Sequence, residues 1–151
     1  MAPSGQQSAL PGARNGLVYE WKEVERVDPS TGEVTKAKQP YFIRLPDGKP
    51  IALAGLMSRR NIEGDKAEFT CTIMTRDAVG PAAEIHTRMP IALPKDAEAA
   101  WLDPVLTDAA AAIEFAREFA LTAFVHHPVN PRVNNARNEG AELIEPFSNP
   151  A

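Results

Sequence analysis

The chain has 151 residues, enough for one domain with a core, and no apolar run approaches the roughly 18–20 residues that span a bilayer. Sixteen Lys+Arg against twenty Asp+Glu leave a formal net charge of -4, which excludes a globally basic nucleic-acid coat protein while leaving room for a local basic groove. Apolar residues make up 44% and charged residues 24%, the balance of a globular domain, and a single cysteine, Cys71, excludes an internal disulfide or a multi-cysteine zinc site.

Residues 1–16 read as an unstructured leader, because Gly5, Pro11, Gly12 and Gly16 interrupt any period and Ser4, Gln6, Gln7 and Ser8 offer no core face. The first ten residues also lack the basic start and apolar stretch of a secretory signal, so a cytoplasmic protein is expected. Order begins at Leu17–Lys22, rich in strand formers, and Asp28-Pro29-Ser30-Thr31-Gly32 supplies a turn. Tyr41–Arg44 is the next strand, Pro46-Asp47-Gly48 the next turn, and Ile51–Leu56 a third strand running back. Ala67–Met74 alternates Phe69, Cys71 and Ile73 with Glu68, Thr70 and Thr72, the period of a half-buried strand that makes Cys71 a small buried hydrophobe. These four segments are expected to form an antiparallel meander.

Arg76–Ile85 reads as a loop or short helix broken by Gly80-Pro81, and Met89–Leu93 as a short apolar strand. Pro94-Lys95-Asp96 opens a helix through Trp101, since Pro and Asp suit a first turn. Asp108–Ala120 is the clearest helix: Ala109, Ala112, Ile113, Ala116, Phe119 and Ala120 form one stripe, and Asp108, Glu114, Arg117 and Glu118 face away. Leu121–His126 and Leu143-Ile144 close the chain as strands, with a polar loop over Asn134–Gly140. The fold class is α+β, a mostly antiparallel sheet or open barrel with two or three helices, spanning residues 17–147 and followed by a tail at 148–151.

Two segments carry chemistry. In Tyr19-Glu20-Trp21-Lys22 a carboxylate stands between two aromatics, whose apolar bulk would disfavour its charge and suit Glu20 to general-acid work; an edge-strand glutamate facing water is the other reading. In Glu84-Ile85-His86-Thr87-Arg88-Met89-Pro90 a histidine enters a short apolar strand with a guanidinium two residues on. His86 can shuttle protons there and Arg88 can grip a phosphate or carboxylate, although a lone histidine also serves purely structural roles. His126 and His127 are adjacent, so on a strand their rings point to opposite faces, and no metal site and no cofactor are expected.

Tyr19–Lys22, Gln39-Pro40-Tyr41-Phe42-Ile43, Ala54-Gly55-Leu56, Ile73-Met74-Thr75, Ile85–Pro90 and Val133-Asn134-Asn135…Gly140–Ile144 occur in this order. Together they closely resemble the SOS-response-associated peptidase (SRAP) family over about Tyr19 to Pro146. The resemblance implies a barrel-like fold and the processing of abasic sites in single-stranded DNA as part of the SOS response. In that family the removal of the initiator methionine exposes a cysteine whose amine and thiol close a thiazolidine on the ring-opened abasic sugar. By the family pattern, Glu20 matches the glutamate that assists methionine removal and proton transfer. His86 matches the histidine of ring opening and crosslink reversal, and Arg88 matches a DNA-backbone arginine.

The sequence also departs from that pattern. Family members begin Met-Cys-Gly, whereas this chain begins Met1-Ala2-Pro3, and Ala2 cannot supply an amine and a thiol on one residue. Met57 stands where an aromatic is usual, and Asp77-Ala78-Val79 differs after the threonine. The expectation is a truncated SRAP-like domain that keeps Glu20 and His86 as acid/base pair and Arg88 as DNA contact but has no nucleophile. Its partners would be abasic single-stranded DNA, on the bacterial nucleoid, and a separately encoded N-terminal half; membranes are not expected. The alternatives are a non-catalytic single-stranded-DNA-binding module and an inactive gene remnant. Without the missing strands, exposed sheet edges and apolar surface are expected.

Overall fold

The computed structural model describes residues 5–7, 18–28, 30–61 and 67–148, with 5–7, 58–61 and 67 described by their backbone alone. In chain order the strands are β1 (Gly5–Gln7), β2 (Val18–Val27), β3 (Val34–Arg44), β4 (Ala52–Leu53), β5 (Gly55–Asn61), β6 (Ala67–Ile73), β7 (Thr75–Asp77), β8 (Arg88–Pro90) and β9 (Ala92–Leu93). Two α-helices follow, α1 (Glu98–Trp101) and α2 (Ala109–Glu118), and then β10 (Val125–Pro128). Among the described residues every strand pair is antiparallel, and the sheets they form do not close into a barrel.

Turn chemistry builds the β2–β3 hairpin. The Asp28 carboxylate accepts from the Ser30 backbone N–H at 2.8 Å and the Thr31 N–H at 3.1 Å, while Gly32 takes φ +70, a region that a side chain would strain. From there the strands pair in register from Val27↔Val34 to Val18↔Ile43, so Glu20 lies opposite Tyr41. Both strands run several residues further toward this turn than the apolar clusters Leu17–Lys22 and Tyr41–Arg44 indicate. The outer parts of the extensions, 23–27 and 34–38, are rich in charge and held by ladder bonds, whereas Gln39 and Pro40 are buried.

The expected four-strand meander is replaced by two hairpins in separate sheets. β3 gives its second edge to β10, from the far end of the chain, rather than to the segment after Gly48. The segment expected as one strand at Ile51–Leu56 splits at Ala54. That residue is fully buried; its N–H donates to the Ile91 carbonyl (2.8 Å) and its carbonyl accepts from the Met74 N–H (2.9 Å). Ala52–Leu53 therefore pairs with β9, and Gly55 onward pairs with β6. The same crossing divides Met89–Leu93 between β8 and β9.

Two apolar clusters hold these pieces together. Ile43, Ile51, Ala82, Met89, Ala92 and Phe124 form one, and Val18 and Leu53 pack on it. Ala54, Ile91, Leu93, Trp101, Ala112 and Ala116 form the second, under Phe115 and Leu56. Helix α2 presents Ala112 and Ala116 to Trp101 as the stripe expects. Ile113 and Phe119 of that stripe are exposed, however, and Phe115 takes the inward place beside Trp101. The Asp108 carboxylate caps the helix by accepting from the Ala111 N–H at 2.8 Å.

Four further expectations change. β6 is not half-buried: Phe69, Cys71 and Ile73 are all exposed, and the contact of this sheet with the second apolar cluster is made by Leu56 of β5. Cys71 is therefore a surface thiol rather than a buried hydrophobe. Leu143-Ile144 is part of a 3₁₀ turn over Ala141–Ile144, in which Leu143 turns inward without strand pairing. The expected strand at Leu121–His126 starts later, at Val125, after Phe124 has turned into the core. Within the segment read as an unstructured leader, Gly5–Gln7 pairs with Leu56–Ser58 of β5; the rest of 1–16 lies outside the described residues.

Candidate functional site

Glu20, His86 and Arg88 line one cleft. Its walls are the first apolar cluster, with Val18, Ile43, Met89 and Phe124 contributing. Strand alternation places Glu20 on the Val18 face of β2, and the register adds Ile43 and Tyr41 to that face. Tyr19 and Trp21 consequently point the other way, so the aromatics adjacent in sequence are not what surrounds the carboxylate. Tyr19 packs on Phe42 with ring centroids 5.7 Å apart, and burial pushes its phenol above the ordinary tyrosine range. Trp21 donates its indole N–H to the Asn134 side-chain carbonyl at 2.7 Å, tying β2 to the C-terminal segment.

His86 is positioned by its neighbours in the chain. A 3₁₀ turn over Gly80–Glu84 ends with the Ile85 and His86 N–H groups both donating to the Ala82 carbonyl (3.1 and 3.2 Å). Ile85 and Met89 are buried on either side and anchor the segment, which leaves the His86 ring exposed at the cleft. The backbone of Arg88 brackets the ring: its N–H donates to His86 Nδ1 at 3.0 Å, and its carbonyl oxygen lies 3.0 Å from the same nitrogen. A neutral ring can accept from that N–H and carry its proton on Nε2, whereas an imidazolium can donate from Nδ1 to that carbonyl. Both protonation states thus find a partner, and Nε2 is the atom left for proton transfer.

The Arg88 side chain leaves the cleft edge toward β7. Its Nη1 donates to the Asp77 carboxylate at 2.7 Å, and its Nη2 donates to the Thr75 carbonyl (3.0 Å) and hydroxyl (2.9 Å). Arg88 also borders a second, wider groove, where Arg76, Arg117 and Asp77 surround an apolar floor that includes Met74 and Ile91. Arg76 and Arg117 make no ion pair with the described residues. This groove and the Thr75–Asp77 fork escape a reading of the sequence, since only the β7–β8 pairing brings Asp77 opposite Arg88.

The adjacent histidines divide between the two faces of β10. His126 faces the Tyr41 ring edge-on (5.6 Å), with its Nε2 3.6 Å from Glu84 Oε2, while His127 packs on Phe42 and its Nε2 lies 2.8 Å from the Ile144 carbonyl. Among the described residues no three His, Cys, Asp or Glu side chains converge as a metal ion would require. Cys71 is absent from the lining of both the cleft and the groove.

Fold and site together define an α+β protein of small antiparallel sheets with a carboxylate, an imidazole and a guanidinium at the mouth of one apolar-walled cleft. A family model for SOS response associated peptidases (SRAP) matches residues 16–136, and the chain belongs to that family. It is 38% identical over 111 residues to the abasic site processing protein YedK of Escherichia coli, covering 72% of this chain and 49% of that one. The abasic site processing protein YoqW of Bacillus subtilis is 33% identical over 127 residues, 84% of this chain and 53% of its own. HMCES of Mus musculus, also an abasic site processing protein, is 26% identical over 85% of this chain and 40% of its own. The chain thus spans about half the length of the curated relatives it matches. Among solved structures, a Bacteroides thetaiotaomicron protein superposes with TM-score 0.59 at 19% identity, over 87% of this chain and 54% of that one. A phage-related protein of Bordetella bronchiseptica gives TM-score 0.51 at 34% identity, over 75% and 49%.

Proposed function

We propose that this chain takes part in the processing of abasic sites in single-stranded DNA during the DNA damage response, with Glu20 and His86 as its acid/base pair and Arg88 as a phosphate contact. The observation that carries this reading is the shared cleft: Glu20 and the distant His86-Thr87-Arg88 segment line one opening with apolar walls. An abasic sugar is in equilibrium with an open-chain aldehyde. Opening the ring needs a proton removed from the anomeric hydroxyl and one delivered to the ring oxygen, work for a carboxyl and an imidazole on the two sides of one cleft. The strand is a polyanion, and a guanidinium beside the cleft holds it by a phosphate independently of base identity. The named function of relatives such as YedK and YoqW supports the substrate class.

The chain's one thiol does not complete this site, because Cys71 sits on β6 and lines neither opening. The chemistry proposed for this chain alone is therefore reversible: an amine of the protein adds to the aldehyde, water leaves, and an imine forms without a thiazolidine ring to trap it. A segment bearing an N-terminal cysteine would supply the trap. The same absence of a thiol favours the second reading, a module that binds single-stranded DNA without crosslinking to it. Borohydride reduction on abasic single-stranded DNA separates the two. The first reading expects a trapped adduct that falls on the order of a hundredfold in rate in Glu20→Gln and His86→Ala. Trapping that is equal in both variants would remove the acid/base assignment, and a heat-stable adduct without borohydride would show that the chain does possess a trapping nucleophile.

A further inference from the structure

We infer that Asp77 is a built-in competitor for phosphate at Arg88, so that a DNA strand must displace its carboxylate before the guanidinium can clamp the backbone. The inference deepens, and rests on, the reading of Arg88 as a phosphate contact. It starts from the three hydrogen bonds that engage Arg88: Nη1 with Asp77, and Nη2 with both the carbonyl and the hydroxyl of Thr75. A guanidinium holds phosphate through charge-assisted N–H bonds. Thr75 engages Nη2 through two acceptors, so Nη1 is the terminal nitrogen open to exchange, and Asp77 occupies it.

The competing carboxylate is easily released. Asp77 is held by one 2.7 Å contact at the end of a three-residue strand, and its side chain is 90% exposed. Ion pairs so open to solvent are weak, so a phosphate can exchange with the carboxylate at small cost. The surroundings favour that exchange: among the described residues Asp77 is the lone anion lining the wide groove, against the guanidiniums of Arg76, Arg88 and Arg117. Thr75 would keep its hold on Nη2 throughout, so the guanidinium stays aimed while its Nη1 changes partner. The consequence is selection against weak anions, because a ligand must outcompete a resident carboxylate to engage Arg88.

The test uses the full chain and an undamaged fluorescent oligodeoxynucleotide, with binding read by anisotropy over a series of salt concentrations. Asp77→Asn, and Asp77→Ala as a second variant, are expected to tighten binding about twofold to fivefold, the range set by breaking one exposed ion pair. The gain should disappear in the Arg88→Ala background. If Asp77→Asn tightens binding equally with and without Arg88, the carboxylate acts only through long-range repulsion and the competition is overturned. If Arg88→Ala weakens binding while both Asp77 variants bind as the parent does, the inference fails and the phosphate role of Arg88 stands. An Arg88→Ala chain that binds like the parent defeats that role itself.

Discussion

His86 illustrates how much a single side chain owes to the backbone next to it. Its ring is held from one side by the Arg88 N–H and carbonyl, both within the same short segment. Removing the ring breaks only local contacts at an exposed position, so His86→Ala should change stability by no more than about 0.5 kcal/mol while reducing imine trapping. A thermal melt beside the trapping assay checks both halves of that statement. Gln39 is the opposite case. It is 6% exposed, and its amide donates to the carbonyls of Pro40 (2.9 Å) and of fully buried Val129 (2.8 Å). Gln39→Leu keeps the bulk but leaves those carbonyls without that donor, and denaturant unfolding should show a loss of about 1–3 kcal/mol. The contrast is instructive for the sequence too. I-H-x-R-M-P announces its own geometry because its apolar Ile85 and Met89 are the residues it buries, whereas nothing in the letters around Gln39 shows that Val129, ninety positions away, depends on it.

At the scale of elements, helix starts and turns were legible and pairing partners were not. Asp108 opens the expected helix as one of its outward-facing residues, and in the fold its carboxylate caps α2. Asp108→Ala should therefore cost about 1 kcal/mol in a melt, with the loss confined to α2 by helix-sensitive exchange measurements. Asp28 is similarly readable as turn chemistry. The Ser30 hydroxyl and backbone N–H, followed by the Thr31 N–H, hold its carboxyl below the usual carboxylate range. A group whose folded pKa is lowered stabilises the fold above its unfolded pKa and loses that contribution as pH falls through the folded value. Asp28→Ala should thus lower the melting temperature near neutrality and change it little once the solution is acid enough to protonate the parent's carboxyl. What the strands pair with lay beyond such local signals. Tyr41–Arg44 declares itself a strand, but its neighbour β10 is more than eighty residues downstream. The break at Ala54 exists only because Ile91 and Met74 meet its backbone.

For the molecule as a whole, alternation in β6 shows which residues share a face and says nothing about what covers it. Phe69 is 56% exposed and Ile73 39%, on a strand of its sheet that contributes nothing to either apolar cluster. Exposed apolar strand residues promote association, so Phe69→Ser with Ile73→Ser should reduce concentration-dependent sedimentation without lowering the melting temperature. The candidate site was legible to a different degree. Glu20, His86 and Arg88 were visible through the motifs that carry them, and the fold brings all three to one cleft. The Thr75–Asp77 grip on Arg88 was not visible, because it depends on a three-residue strand pairing across the 3₁₀ turn. The net charge of -4 also conceals the local balance at the groove, where three arginines face one aspartate.

The exposure of Cys71 has a practical side. The chain has one sulfhydryl, it is open to solvent on β6, and it borders neither the cleft nor the groove. A maleimide dye attached there reports from a single defined position, so energy transfer to a labelled oligonucleotide can measure where a bound strand runs without altering the residues that would hold it.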